Sequence, residues 1–135
     1  MTNPILTVSL MDAPYEAATS TTAFRIIAAA LGRGVDVNVF AYEGAVSLAL
    51  RDQAPHANPV KGTSVEEEQH PTTKNFVAAL LELGRGEPAL TWVNCGLCVD
   101  ERGAGNAIEG VTRGGPADFL AMALASTTTL VIPTK

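Results

Sequence analysis

The sequence predicts a single α/β domain over residues 1–135, a three-layer α/β/α arrangement with a five-stranded, mostly parallel sheet. Three observations carry that expectation. Apolar runs of strand length and helix length alternate along the chain. The strand runs are continuous and rich in branched residues, as in strands buried on both faces. The chain has 135 residues, 47% hydrophobic and 17% charged, which is one domain's length and too apolar for disorder.

Each element follows in order. Ile5 to Met11 reads as a buried strand that stops at Asp12-Ala13-Pro14-Tyr15. Thr19, Ser20, Thr21 and Thr22 offer N-caps for a helix through Phe24, Ile27, Ala28 and Leu31, closed by Gly32 and Gly34. Val35, Val37 and Val39 alternate with Asp36 and Asn38 in a second strand that runs on to Phe40 and Tyr42. A short helix from about Ala45 to Gln53 is stopped by Pro55. Residues Ala54 to Pro71, with the run Glu66-Glu67-Glu68, read as a long exposed loop. Phe76, Leu80 and Leu83 fall at helical spacing, and Ala89 to Asn94 is the third strand. A short strand near Ile108 to Val111 follows. A helix begins at Pro116 and runs through Phe119, Met122 and Leu124, and a last strand spans Thr128 to Ile132 before Pro133.

Composition excludes several classes of partner. Fourteen acidic and nine basic residues give a net charge of −5, and the cations are scattered, so no basic footprint for nucleic acid or an anionic membrane is present. No apolar run approaches the ~20 residues of a membrane span. Met1-Thr2-Asn3-Pro4 lacks the basic start of a secretory signal, which sets a cytoplasmic expectation. The apolar surplus, notably on the helix from Ala117 to Ala125, is the composition of a subunit interface.

Chemistry concentrates where doubly wound folds place ligands, beyond the carboxyl ends of the strands. Three such exits are rich in functional groups: Asp12-Ala13-Pro14-Tyr15, Tyr42-Glu43-Gly44 and Asn94-Cys95-Gly96-Leu97-Cys98. Both cysteines of the protein lie in the last one. If Gly96 to Gly103 is helical, Cys95 sits ahead of its positive end, where a thiolate is stabilised. Cys98 and Arg102 continue the same stripe, with Asp100 turned partly away. Dipole and cation together favour a nucleophilic sulfur or a persulfide anion.

Competing readings of the pair are weaker. Two buried structural cysteines would satisfy packing alone. A closed zinc site needs four ligands, and His56 and His70 fit no standard spacing with the cysteines, so no metal is expected. A structural disulfide does not suit a reducing compartment. A thioredoxin-type pair normally lies near the start of its domain. The glycines at 103, 105, 110, 114 and 115 match neither phosphate-loop pattern and read as turns, so no cofactor is expected.

The segment Cys95-Gly96-Leu97-Cys98-Val99-Asp100-Glu101-Arg102-Gly103 resembles the CxxCxxxRG segment of the DsrE-like family, which includes DsrE, DsrF and TusD. It is most similar to the YchN-like branch with its CxxC. The resemblance spans nearly the whole chain: Asn3 to Tyr15, Val35 to Arg51, Ile108 to Val111 and Asp118 to Ile132 look like the family's other elements. The loop Glu66 to His70 and the ending Pro133-Thr134-Lys135 depart from it.

The resemblance implies a five-stranded parallel α/β/α subunit that assembles into trimers or hexamers. It also implies a cysteine that carries sulfur as a persulfide between rhodanese-like and TusA-like partners. The family cysteine lies eight residues before the Gly of the Arg-Gly pair, which puts it on Cys95. The expectation is a cytoplasmic sulfur carrier or sulfurtransferase. Cys95, Cys98 and Arg102 are its catalytic residues, and Asp12, Tyr15, Asn94 and Gly96 line the substrate site. His70 is a candidate proton carrier. A dithiol redox protein using the same pair, or a non-catalytic binding module, are the alternatives.

Overall fold

Five strands, β1 (Ile5–Leu10), β2 (Asp36–Ala41), β3 (Leu90–Cys95), β4 (Val111–Gly114) and β5 (Thr128–Val131), form one sheet in the order β4-β3-β2-β1-β5. Every pairing is parallel, so the sheet is parallel throughout rather than mostly so. This is a computed structural model, and the residues described are 2–57, 59–68 and 71–134. The chain builds outward from β1 to β4, then crosses to the other side of β1 for β5. That reversal makes β1 the topological switch point.

Alternation along the strands divides the core into two clusters. Val8 and Leu10, Val37, Val39 and Ala41, and Trp92 face α1 (Thr19–Gly32) and α3 (Thr73–Leu83). α1 buries Ala23, Phe24, Ile27 and Leu31, a helical stripe. Phe24 lies 5.5 Å from Phe76 of α3 and 6.4 Å from Trp92, ring centre to ring centre. The opposite face is thinner. Phe40, Val93 and Cys95 there meet Cys98 and Val99 of α4 (Gly96–Arg102), with Phe119 and Met122 of α5 (Pro116–Ala125) packed alongside. Thr7 on this face bonds Ser126 Oγ and the Met122 carbonyl.

Three local expectations change. The helix expected near Ala45 to Gln53 is a 3₁₀ segment, Glu43–Ala49. It ends because Leu50 turns extended and bridges Ala107, while the Arg51 N–H donates to Asn106 O. The strand expected at Ile108 to Val111 starts only at Val111, because Ile108 bonds back to Ala49 and the chain then turns through Gly110. The expected loop contains one helical turn, α2 (Val65–Glu68), opened by a reciprocal capping box between Ser64 and Glu67.

Gly84, which follows α3, is a test of this packing. A Cβ there would lie 2.2 Å from Leu90 Cβ and 2.8 Å from Leu90 N, against backbone that cannot yield cheaply. Gly84→Ala is expected to destabilise the subunit by about 1–3 kcal/mol in chemical denaturation. An unchanged midpoint would show that α3 and β3 do not approach this closely.

Candidate functional site

Cys95 is the last residue of β3 and the N-cap of α4, so the strand delivers it to the carboxyl edge of the sheet. The helix that the spacing allowed is present, seven residues long, and Gly103 closes it in the left-handed conformation. Cys98 lies one turn along. Both thiols are free and buried, with 2% and 5% of their surface exposed. The backbone N–H of Glu43 donates to Cys98 Sγ at 3.2 Å.

Burial pushes the Cys98 thiol above its ordinary pKa, and the neighbouring Cys95 adds to the rise, while the Glu43 N–H pulls the other way. Because the shift is upward, Cys98 stays protonated through neutral pH. Its alkylation rate is expected to keep rising above the pH at which a free thiol levels off. A cysteine-resolved pH profile that levels at the ordinary value would contradict this.

Glu43 adopts φ +52°, a left-handed conformation uncommon for a residue with a Cβ, at the exit of β2. Its carboxylate pairs with Arg102 at 2.7 Å, and Arg102 also meets Glu101 at 3.6 Å. The Arg102 charge is therefore matched by Glu43, and its contact with the pair runs through that residue. Tyr42, beside Glu43, has its phenol pKa raised by the Glu43 carboxylate first and by the Cys98 thiol second.

Asp12 reaches the same corner. It lines an open cleft of about 470 Å³ with Tyr42, Glu43, Gly44 and Arg102, and its Oδ2 accepts a 2.8 Å bond from Thr19. Neither cysteine lines that cleft; Tyr42, Glu43 and Arg102 do. Tyr15 is placed apart, lining a separate hollow with Ala54, Pro55 and His56, and its hydroxyl donates to Pro71 O at 3.1 Å. Asn94 is buried behind the pair. Its Nδ2 donates to Val46 O, while its Oδ1 has no partner among the described residues. Gly96 opens α4 beneath the Arg113 side chain. His70 lies outside the described residues.

Sequence reasoning passed over Glu43 as a hydrogen-bond donor and Arg113 altogether. Arg113, on β4, donates to both carboxylate oxygens of Asp100 at 3.0 and 2.8 Å and to Gly96 O at 3.1 Å. That bidentate bond holds the Asp100 carboxyl below the usual carboxylate range. The Tyr42-Glu43-Gly44 exit was a visible signal for the first. Arg113-Gly114-Gly115-Pro116, a fourth strand exit, was the signal for the second.

No three His, Cys, Asp or Glu side chains among the described residues converge to hold a metal ion. No helix among them is long and apolar enough to cross a membrane.

Comparison with known proteins agrees with the architecture. The crystal structure of the ychN protein from E. coli superposes with a TM-score of 0.68 at 20% sequence identity, covering 98% of this chain and 100% of that one. At that identity the likeness is one of fold. No curated protein matches the chain. A family model, that of the DsrE/DsrF-like family, matches residues 5–132, nearly the whole length. The chain belongs to the DsrE/DsrF-like family.

Proposed function

We propose that the protein is a sulfur carrier of cytoplasmic sulfur metabolism, holding sulfane sulfur as a persulfide on Cys95. The observation that supports this most is the pair itself. Two free, buried thiols sit one helical turn apart at a strand exit, with burial raising the Cys98 thiol's pKa, and Cys95 is the nucleophile in this reading.

The chemistry balances without an external oxidant. The Cys95 thiolate attacks the outer sulfur of a donor persulfide, the donor S–S bond breaks, and the donor thiolate leaves. Cys95 then carries the extra sulfur as an anion. An acceptor thiolate can take that terminal sulfur and restore Cys95. Alternatively, Cys98 Sγ attacks Cys95 Sγ as the Cys98 proton passes to the departing terminal sulfur, which leaves as hydrosulfide; the two cysteines are oxidised to a disulfide as the sulfane sulfur is reduced. Burial of both thiols suits a carrier, because it keeps water and stray oxidants from the persulfide.

Rhodanese-like donors and TusA-like acceptors are the partners that the family resemblance suggests. The active form is a homotrimer or homohexamer. α5 supports this, since eight of its ten residues are apolar and none is buried in the single chain. A helix apolar all round belongs in an interior.

Cyanolysis after loading with polysulfide tests the reading. Stoichiometric thiocyanate is expected from the parent and none from Cys95→Ser. A Cys95→Ser variant that releases as much as the parent would sink it. A parent that forms a reversible internal disulfide but never accepts sulfur would favour the dithiol redox alternative.

A further inference from the structure

We propose that Glu43 is the positioning residue for Cys98, its backbone N–H aimed at the sulfur to steady the charge that gathers there when Cys98 gives up its proton. The geometry of the β2 exit brings that donor to the thiol. The Glu43 N–H donates to Cys98 Sγ at 3.2 Å. Glu43 holds a left-handed φ of +52°, which a residue with a Cβ rarely adopts and which tends to persist where a function needs it. Its carboxylate is tied to Arg102 at 2.7 Å. Cys98 and Arg102 are four residues apart on α4, so Glu43 grips one side of that helix at two successive turns. The next residue is wedged as well: a Cβ on Gly44 would meet Ala13 N and Cβ at 2.9 Å each.

Regular structure on either side does not use this N–H. The Tyr42 N–H donates to Leu10 O at 2.8 Å and so continues the β1–β2 ladder, while the Ala45 N–H donates to Tyr42 O at 3.0 Å and opens the 3₁₀ segment. The Glu43 N–H falls between them and goes to the sulfur. A thiol sulfur is a weak acceptor and a thiolate a strong one, so this bond tightens as Cys98 loses its proton. It therefore offsets part of the cost of charging a buried sulfur when Cys98 Sγ bonds Cys95 Sγ, its proton passes to the departing terminal sulfur, and hydrosulfide leaves. The other ionisable groups around Cys98 are Cys95 at the end of β3, Tyr42 beside Glu43, and Asp100, Glu101 and Arg102 on α4. Arg113 from β4 is taken up by Asp100, and Asp118 of α5 by the Gly115 N–H.

The part Glu43 plays in sulfide release rests on the carrier reading above, but the test does not. Glu43→Asn and Glu43→Val both remove the carboxylate, so their charge is equal. They differ in backbone, because asparagine tolerates the left-handed region and a β-branched side chain does not. In the full-length Cys95→Ser chain, labelled with carbon-13 at the cysteine Cβ, an NMR titration reads the one remaining thiol. The Cys98 midpoint is expected to lie about half to one and a half pH units higher in Glu43→Val than in Glu43→Asn, with Glu43→Gly close to Glu43→Asn. A site that had merely loosened would admit water to Cys98 and move the Glu43→Val midpoint down, towards that of a free thiol. That outcome, or equal midpoints, overturns the proposal. Should Glu43→Val fail to fold, the Glu43 amide proton decides in the Cys95→Ser chain. It is expected to move downfield through the Cys98 titration, farther than any other amide of Glu43–Ala49, and a Glu43 amide that ignores that titration contradicts the proposal. Cys95 is absent from every chain titrated, so failure here leaves sulfur uptake on Cys95 untouched, and failure of uptake leaves this result standing.

Discussion

Replacing Leu120 and Leu124 with glutamate is expected to leave the protein monomeric at concentrations where the proposed trimer or hexamer of the parent would form. Leu120 is 58% exposed and Leu124 79% exposed on the single chain, both on α5. Val131 of the edge strand β5 and Leu97 of α4 are exposed as well, at 54% and 70%. Burying a leucine contributes about 1.5–3 kcal/mol. Losing two per interface, and adding charges that must be desolvated, weakens association by at least about a hundredfold. The subunit itself should keep its folding stability to within about 0.5 kcal/mol, because these side chains support no core in the isolated chain. Light scattering that returns a single-chain mass for the parent would contradict the assembly, and an oligomeric double variant would move it to another face.

Cys98→Ser is expected to accept sulfur as the parent does but to hold it far longer. Serine cannot attack Cys95 Sγ, so the internal route that expels hydrosulfide and forms the disulfide is closed. Sulfide release in the absence of an acceptor should fall by roughly tenfold or more. Transfer to an added acceptor thiol should persist, because that step uses the terminal sulfur on Cys95. If sulfide release is unchanged in Cys98→Ser, the resolving role assigned to Cys98 is wrong, and its raised pKa reflects burial alone.

The features of the fold that depend on local pattern were legible in the sequence. Strand runs at Ile5, Val35, Ala89 and Thr128 begin within a residue of the observed strands, because continuous branched apolar stretches have few other uses in a small domain. The placement of Cys95 at the end of β3, ahead of a helical turn, followed from the same pattern. β4 was misplaced by three residues because Ile108 looks like a strand residue but bonds to Ala49, a contact 59 positions away in sequence.

The site's electrostatics were not legible for the same reason. Arg102 falls on the stripe with Cys98, which suggested a cation for the sulfur, but only the folded chain brings Glu43 to it across 59 positions. Arg113 stands just ahead of Gly114 and Gly115, in a stretch that spacing marks only by its glycines. Its partnership with Asp100 exists because two neighbouring parallel strands bring their carboxyl ends together. Asp12 and Tyr15, three residues apart at one strand exit, line different hollows, and the Tyr15 backbone takes a left-handed φ of 66°. Spacing places side chains along one element, and pairing between elements decides which charges remain to act.

Peptide-level mass spectrometry of the polysulfide-loaded parent, with persulfides trapped by alkylation, decides whether Cys95 carries the sulfur. One added sulfur atom is expected on the cysteine at 95, none on the cysteine at 98 at early times, and a 95–98 disulfide as the added sulfur disappears. An added sulfur found on Cys98 alone, or loss of two hydrogens as a disulfide with no sulfur ever gained, would contradict it.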